Sequence, residues 1–296
     1  PSGTADTMEV LAPVSFPADM VQRIVHEANG CLIWGGGLSI APADDIIIRV
    51  SRPLSLEPYD KMIVSILAKK VAMGVQYLII DLPFGPGTKI PNRTVGTEVA
   101  KRFQEVAAAF KMKVEVKFDS AKEPIGQGIG PALEARDVVR VLQQTPDRPM
   151  DLEQKAIGLA GDLLELCGFA QPGQGKARAT AQLQSGAAWK KMQQIIKVQG
   201  GNDHISPDDV LHGAVTYTIT AKQSGKVTEI FNRAIDEVAR TLGAPDHKLG
   251  GIFLHRKRGQ KVQAGEPLFT LYSASSDRIT MARQALKRVK ILTVGR

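Results

Sequence analysis

Two kinds of hydrophobic periodicity alternate between residues 75 and 142. Val75 to Leu82 and Lys113 to Phe118 are strand-like runs, and an alanine-rich helical pattern from Glu98 to Phe110 lies between them. A second helix is predicted from Pro131 to Leu142. Strands that alternate with helices form a mainly parallel sheet covered by helices, so this stretch predicts an α/β fold class.

Further helices are predicted on both sides of this stretch. Helical patterns cover 17–28, Tyr59 to about Met73, 151–167 and Ala187 to Val198, and Gly74 and Gly168 end two of these helices. Cys31 to Trp34 is predicted as a short strand. It leads into Gly35-Gly36-Gly37, a type of turn that often lies beside ligands.

The sequence pattern changes near residue 204. Beyond this point one helix, Ile235 to Leu242, is predicted among short β-like runs. These runs are 216–220, 225–227, 252–255 and 268–272. The pattern predicts a small α+β domain that covers residues 204–296.

Size and composition favour a globular protein. The chain has 296 residues and 43% hydrophobic content, which is enough for about two domains. Its longest apolar runs, such as Tyr77 to Ile80, are far shorter than the roughly 20 residues that span a bilayer. With Cys31 and Cys167 alone, the chain cannot build a disulfide framework or a CxxC metal site. We therefore expect a soluble cytoplasmic protein with no membrane partner.

The formal net charge of +8 does not by itself indicate nucleic-acid binding. Lysines and arginines are mixed with nearly as many acids, except at His255-Arg256-Lys257-Arg258 and near the C-terminus. We expect no nucleic-acid partner. A basic balance also suits an enzyme with phosphate-bearing ligands, because a cationic cleft concentrates anionic substrates.

Sequence patterns typical of metal sites and hydrolases are missing. The five histidines show neither HxH nor HExxH spacing, and no GxSxG motif occurs. We therefore expect no metal and no cofactor. The glycine-rich segment Gly126 to Gly130 lies between a strand and a helix, where backbone amides can meet an anion. It lacks GxGxxG spacing, so a tight structural turn is the favoured interpretation.

The segment SILAKK, Ser65 to Lys70, places a hydroxyl and an ammonium group on one helical face. Ser65 and Lys69 are one turn apart, so both could contact one ligand. The alternative is a solvated helix flank with Lys69 and Lys70 in water, and spacing alone favours that alternative.

The order of several motifs resembles the thymidine and AMP phosphorylase family. GTADTMEV at Gly3 to Val10, SIAPAD at Ser39 to Asp44, the arginines of Arg49 to Arg52 and SILAKK follow in the family's order. With IGPALEAR at Ile129 to Arg136, the run looks closer to archaeal-type AMP phosphorylases. The resemblance extends through nearly all of the chain, including the C-terminal pattern GxxVxxGxPL that begins at Gly259.

The resemblance implies a pentosyltransferase that carries out phosphorolysis. Inorganic phosphate, as co-substrate, would attack the anomeric carbon of a nucleoside or nucleoside 5′-monophosphate, and the free base would leave. Carried over by motif position, Ser65, Lys69 and Arg52 would contact the base, with Arg49 as the alternative arginine. Thr4 would contact phosphate. The resemblance leaves thymidine and AMP open as substrates, and with them pyrimidine or purine nucleotide metabolism.

The sequence departs from the family at its phosphate-binding loop. The family's lysine- and serine-bearing glycine-rich loop, which precedes GTADT, does not occur in these residues, and neither does the N-terminal part of the helical domain. We therefore expect a C-terminal portion that holds half a site and shows negligible phosphorolysis alone. The resemblance also implies a homodimer for the full-length enzyme.

The resemblance divides the chain into three regions. An α/β phosphorylase domain would be built from residues 1–42 and 74–203, interrupted by a helical-domain segment at 43–73. A hammerhead-like α+β domain would follow at 204–296. Because GxxVxxGxPL also resembles biotinyl and lipoyl carrier domains, a non-catalytic binding or carrier module is the alternative function. Such carriers need an exposed lysine in a hairpin, and the sequence offers none there.

Overall fold

A computed structural model describes the protein at residues 2–38 and 59–295. The helices before residue 204 are α1 (Thr4–Met8), α2 (Ala18–Ala28), α3 (Tyr59–Ala72), α4 (Arg93–Ala109), α5 (Pro131–Leu142), α6 (Met150–Leu166), α7 (Gly175–Gln184) and α8 (Ala187–Val198). Two more helices follow, α9 (Asn232–Leu242) and α10 (Ser276–Ala285). Short 3-10 helices cover Gly35–Leu38 and Asp209–Leu211.

The described strands form three sheets. The strands are β1 (Tyr77–Phe84), β2 (Lys113–Ser120), β3 (Gly128–Ile129), β4 (Val215–Thr220), β5 (Gly225–Ile230), β6 (Gly251–Leu254), β7 (Lys261–Val262), β8 (Pro267–Ser273) and β9 (Leu292–Gly295). β1 and β2 are parallel, and Tyr77 lies opposite Lys113. An antiparallel sheet has the strand order β3-β6-β8-β4, and an antiparallel three-stranded sheet has the order β7-β5-β9.

The predicted fold class is confirmed as a mixed α/β protein with an α+β C-terminal part. The parallel strands β1 and β2 pack against α3 and α4 around Ile63, Leu67 and Phe103, which are buried. The predicted helices 131–142 and 187–198 have the observed bounds. The boundaries of the three predicted regions stay predictions.

Cys31 to Trp34 does not form the predicted strand. The backbone groups of Leu32 pair with a buried side-chain amide instead of a neighbouring strand. Leu32 N–H donates to Gln199 Oε1 at 2.8 Å, and Gln199 Nε2 donates to Leu32 O at 3.0 Å and to Pro13 O at 2.8 Å. One glutamine therefore supplies the hydrogen bonds that a strand partner would have supplied.

The glycine-rich segment ties the first part of the chain to the C-terminal part. Its residues Gly128 and Ile129 form β3, which pairs with Phe253 and Ile252 of β6. Gly130 has a φ of 112°, and a Cβ atom there would lie 2.2 Å from the carbonyl oxygen of Gly250. A glycine is required at this position, because a side chain would force the two backbones apart.

The basic cluster at residues 255–258 strengthens the same junction. Lys257 Nζ lies 3.2 Å from Asp151 Oδ2, and it also donates to the carbonyl of Pro124. The backbone N–H of Arg258 donates to Glu123 Oε2 at 2.9 Å. The neighbouring Arg256 forms an ion pair with Glu266 at 3.0 Å. Lys257 and Arg258 of this cluster therefore hold the C-terminal part of the protein against the first part.

A buried arginine completes the junction. Arg136 of α5 is 5% exposed, and its guanidinium carbon lies 4.5 Å from the ring centre of Phe253 and 5.9 Å from that of Tyr272. Burial lowers the pKa of Arg136, and two aromatic faces offset part of the cost of desolvating the cation. Cation–π contacts thus join α5 to β6 and β8.

We predict opposite effects of alanine at two glycines. Gly130→Ala should lower the free energy of unfolding by at least about 2 kcal/mol, because the new methyl group meets the backbone of Gly250. Gly158→Ala, inside α6, should raise it by roughly 0.5–1 kcal/mol, because its Cβ meets no atom within 4 Å and alanine favours helix. Urea denaturation of both variants measures the difference. Equal stability of Gly130→Ala and the parent would contradict the close approach.

Candidate substrate cleft

A cleft of about 1240 Å³ lies between the first part of the protein and the C-terminal part. One wall contains the carboxyl ends of β1 and β2, and the opposite wall contains the first turns of α9. Ligands of α/β proteins bind beyond the carboxyl ends of parallel strands. The side chains that bear on its chemistry are Ser2, Thr4, Asp81, Asp119, Glu134, Asp137, Lys155 and Arg233.

Thr4, the predicted phosphate contact, lies in this cleft at the first position of α1. The turn that presents it is closed by Asp6, whose Oδ2 accepts the backbone N–H of Gly3 at 2.8 Å. The Thr4 side chain is exposed to the cleft. Thr4 is therefore an exposed, hydroxyl-bearing residue in the lining of the cleft.

Glu134 of α5 holds the segment on both sides of Thr4. Its Oε1 accepts the hydroxyl of Ser2 at 2.8 Å and the N–H of Gly130 at 3.0 Å. Its Oε2 accepts the hydroxyl of Thr7 at 2.9 Å. One carboxylate thus joins the start of α1 to the start of α5 and fixes where Thr4 stands.

Asp137 of α5 binds the backbone of the glycine-rich segment. Its Oδ2 accepts the N–H groups of Gln127 and Gly128, both at 2.7 Å, while its buried Oδ1 has no hydrogen-bond partner among the described residues. Burial raises the pKa of Asp137, against the lowering effect of those two amides. Because a carboxylate already takes these amides, the segment has a structural role, but Gly128 and Ile129 form β3 instead of the predicted tight turn, since they pair with β6.

Lys155 of α6 bridges the two parallel strands at the cleft. Its Nζ lies 2.6 Å from Asp81 Oδ2 and 3.1 Å from Asp119 Oδ2. Burial alone would lower the pKa of Lys155, but the hydrogen bonds to the two carboxylates outweigh burial and raise it. The cation is therefore neutralised within the protein and holds α6 against the sheet.

Ser65 and Lys69 lie together on α3, as predicted from their spacing. The opposite side of the helix carries Ile63 and Leu67, which are buried in the core, whereas Ser65 and Lys69 are half-buried. Lys70 is rotated by about 100° from Lys69, toward the side of Ile63 and Leu67. The two lysines therefore face different surroundings.

The structure brings only part of the predicted site into one place. Of the predicted site residues that lie in the described ranges, Thr4 lines the cleft, and Ser65 and Lys69 are not among its lining residues. Arg52, the alternative Arg49 and the SIAPAD segment lie outside the described residues. The roles assigned to Thr4, Ser65, Lys69 and Arg52 stay predictions.

Three cleft residues were not predicted from the sequence, namely Glu134, Asp137 and Lys155. A signal existed for the first two, because they stand in the first two turns of a helix that begins at a glycine and a proline. Lys155 gave no local signal, since its partners are 36 and 74 residues away in the chain. In residues 2–38 and 59–295 no group of three or more metal-ligating side chains is close enough to hold an ion.

Comparison with known proteins identifies the class to which this fold and cleft belong. Residues 226–291 match the family described as the pyrimidine nucleoside phosphorylase C-terminal domain. An AMP phosphorylase of Thermococcus kodakarensis is 45% identical over 293 residues, which is 99% of this chain and 58% of the relative. AMP phosphorylases of Methanococcus maripaludis strain C5 and Pyrococcus horikoshii are each 44% identical, over 98% and 99% of this chain and 57% and 58% of the relatives.

The chain belongs to the thymidine and AMP phosphorylase family. It spans a little over half the length of the relatives that it matches. Every helix among the described residues is too short or too polar to traverse a bilayer.

Proposed function

We propose that the protein takes part in phosphate-dependent phosphorolysis of a nucleoside 5′-monophosphate, most directly AMP. The observation that carries this proposal is the 44–45% identity to AMP phosphorylases over 98–99% of the chain. The products would be the free base and a sugar phosphate. Inorganic phosphate is the co-substrate, and neither a metal nor a cofactor is part of the proposal.

The proposed reaction separates charge at the anomeric carbon. The sugar gains positive character while the departing base gains negative charge, so fixed cations beside the base lower the barrier. Lys69, with Ser65 on the same face of α3, is proposed to hold the base. Arg52, or Arg49 in its place, is proposed as the second cation. The side chains act by position and charge, so no covalent intermediate with the protein is needed.

Phosphate is proposed to bind at the start of α1. Thr4 lies in the cleft, and Glu134 anchors the hydroxyls of Ser2 and Thr7 on either side of it at 2.8 and 2.9 Å. These bonds hold the backbone on both sides of Thr4, so the segment loses little freedom when phosphate binds, which favours a defined direction of attack. The remaining phosphate ligands would come from the family's glycine-rich loop, which these residues do not contain.

The proposals for location, pathway and oligomeric state follow from the same family. We propose a cytoplasmic pentosyltransferase of nucleotide metabolism that acts as a homodimer at full length.

The competing carrier function has little structural support. The pattern GxxVxxGxPL runs through β7 and β8, and the turn between these strands, Gln263 to Glu266, contains no lysine for attachment of a prosthetic group.

We predict that two adjacent lysines differ in importance. In a protein that joins these residues to the family's phosphate loop, Lys69→Ala should lower kcat/KM at least about a hundredfold, because a charge-stabilising donor is lost. Lys70→Ala, which removes the same charge one position along α3, should have a small effect. Steady-state phosphorolysis assays measure both variants. Equally small effects of both substitutions would mean that this part of α3 is a solvated flank.

The substrate prediction is that AMP is preferred over thymidine. The motifs and the relatives both point to a 5′-monophosphate, and a basic protein suits a doubly charged substrate. The assay compares release of adenine from AMP with release of thymine from thymidine, at the same enzyme and phosphate concentrations. A higher kcat/KM for thymidine would overturn the substrate while leaving phosphorolysis in place.

A further inference from the structure

The sequence contains two clusters of basic residues, and the two clusters make different contacts in the structure. The cluster at 255–258 forms ion pairs within the protein, since Arg256 pairs with Glu266 and Lys257 pairs with Asp151. The second cluster lies in residues 278–296, where six basic side chains occur with no acidic one. The proposed phosphorolysis uses neither of them.

A groove of about 570 Å³ is lined by three of these six residues, Arg283, Lys287 and Lys290. It lies in the C-terminal part between β4 and β8 on one side and the end of α10 with β9 on the other. Hydrophobic side chains that line it include Ile219, Phe269, Leu286, Val289 and Leu292. The groove is separate from the substrate cleft, with which it shares no lining residue.

The charges that line the groove all have one sign. Lys222, Arg283, Lys287 and Lys290 line it, and the described lining residues contain no carboxylate. All four side chains are exposed. None of the four forms an ion pair with a carboxylate of the described residues, and Arg283 instead lies over the ring of Tyr217, 4.1 Å from its centre. Like charges close together repel one another, so an anion in the groove would relieve that repulsion.

The size and lining of the groove indicate the class of ligand. Its volume falls within the roughly 300–1,000 Å³ typical of small-molecule sites. Lysine ammonium groups bind phosphate as point charges, and an apolar floor suits a ring system. We propose that this groove is a second anion site, which takes a phosphorylated small molecule of nucleotide size. Its phosphates contact Lys222, Lys287 and Lys290, and its ring packs on Leu286, Val289 and Leu292.

The test titrates the purified chain with ADP, pyrophosphate and adenosine in an isothermal titration calorimeter. ADP should bind more tightly than pyrophosphate, because only ADP also covers the apolar floor, and adenosine should bind most weakly. Binding of ADP should weaken as salt is added, since these charges are exposed. No activity is measured, so the result is independent of the proposed phosphorolysis.

Matched double variants assign the binding to the groove. Lys287→Gln with Lys290→Gln should weaken ADP binding at least about tenfold. Lys190→Gln with Lys197→Gln, on the exposed side of α8, removes the same charge elsewhere and should leave binding unchanged. Circular dichroism and the thermal midpoint check that both variants are folded.

Several outcomes would overturn the inference. Equal ADP affinity in the parent and both double variants would place the binding outside the groove. No measurable binding of ADP to the parent would remove the site altogether. Single-stranded RNA that binds more tightly than ADP, and is lost in the Lys287 and Lys290 variant, would make this a nucleic-acid surface rather than a small-molecule site.

Discussion

The close approach of two backbones at Gly130 and Gly250 is the constraint on which the rest of the structure depends. It allows β3 to join the C-terminal sheet and sets that part of the chain against α5. Arg136 between two aromatic rings and Lys257 on Asp151 reinforce the same junction with a buried and a half-buried cation. The candidate substrate cleft is the space that this junction leaves open, so its shape depends on a contact that only glycine permits.

Carboxylates, rather than cations, organise the described part of the cleft. Glu134 anchors the turn that carries Thr4, Asp137 takes the amides of the glycine-rich segment, and Asp81 with Asp119 neutralises Lys155. These negative groups face inward to backbone amides, hydroxyls and a lysine. They therefore stabilise the scaffold around the cleft.

Local periodicity predicted much of the fold, because it reports which face of an element is buried. The bounds of α5 and α8, and the parallel pair β1 and β2, followed from apolar spacing and from flanking glycine and proline. The failure at Cys31 to Trp34 had a distant cause, since Gln199 takes the backbone bonds of Leu32. The candidate site also divides into residues that the sequence predicts and residues that it does not. Thr4 was predicted from a local motif, whereas Lys155 was not, because its partners are brought together only by the tertiary fold.

We propose that inorganic phosphate, and not water, accepts the sugar. The most direct measurement incubates AMP with a protein that joins this chain to the family's phosphate loop, with and without inorganic phosphate, and identifies both products. We expect equal amounts of adenine and ribose 1,5-bisphosphate, formed only when phosphate is present. Adenine released at the same rate without phosphate, together with ribose 5-phosphate, would show hydrolysis and contradict phosphorolysis.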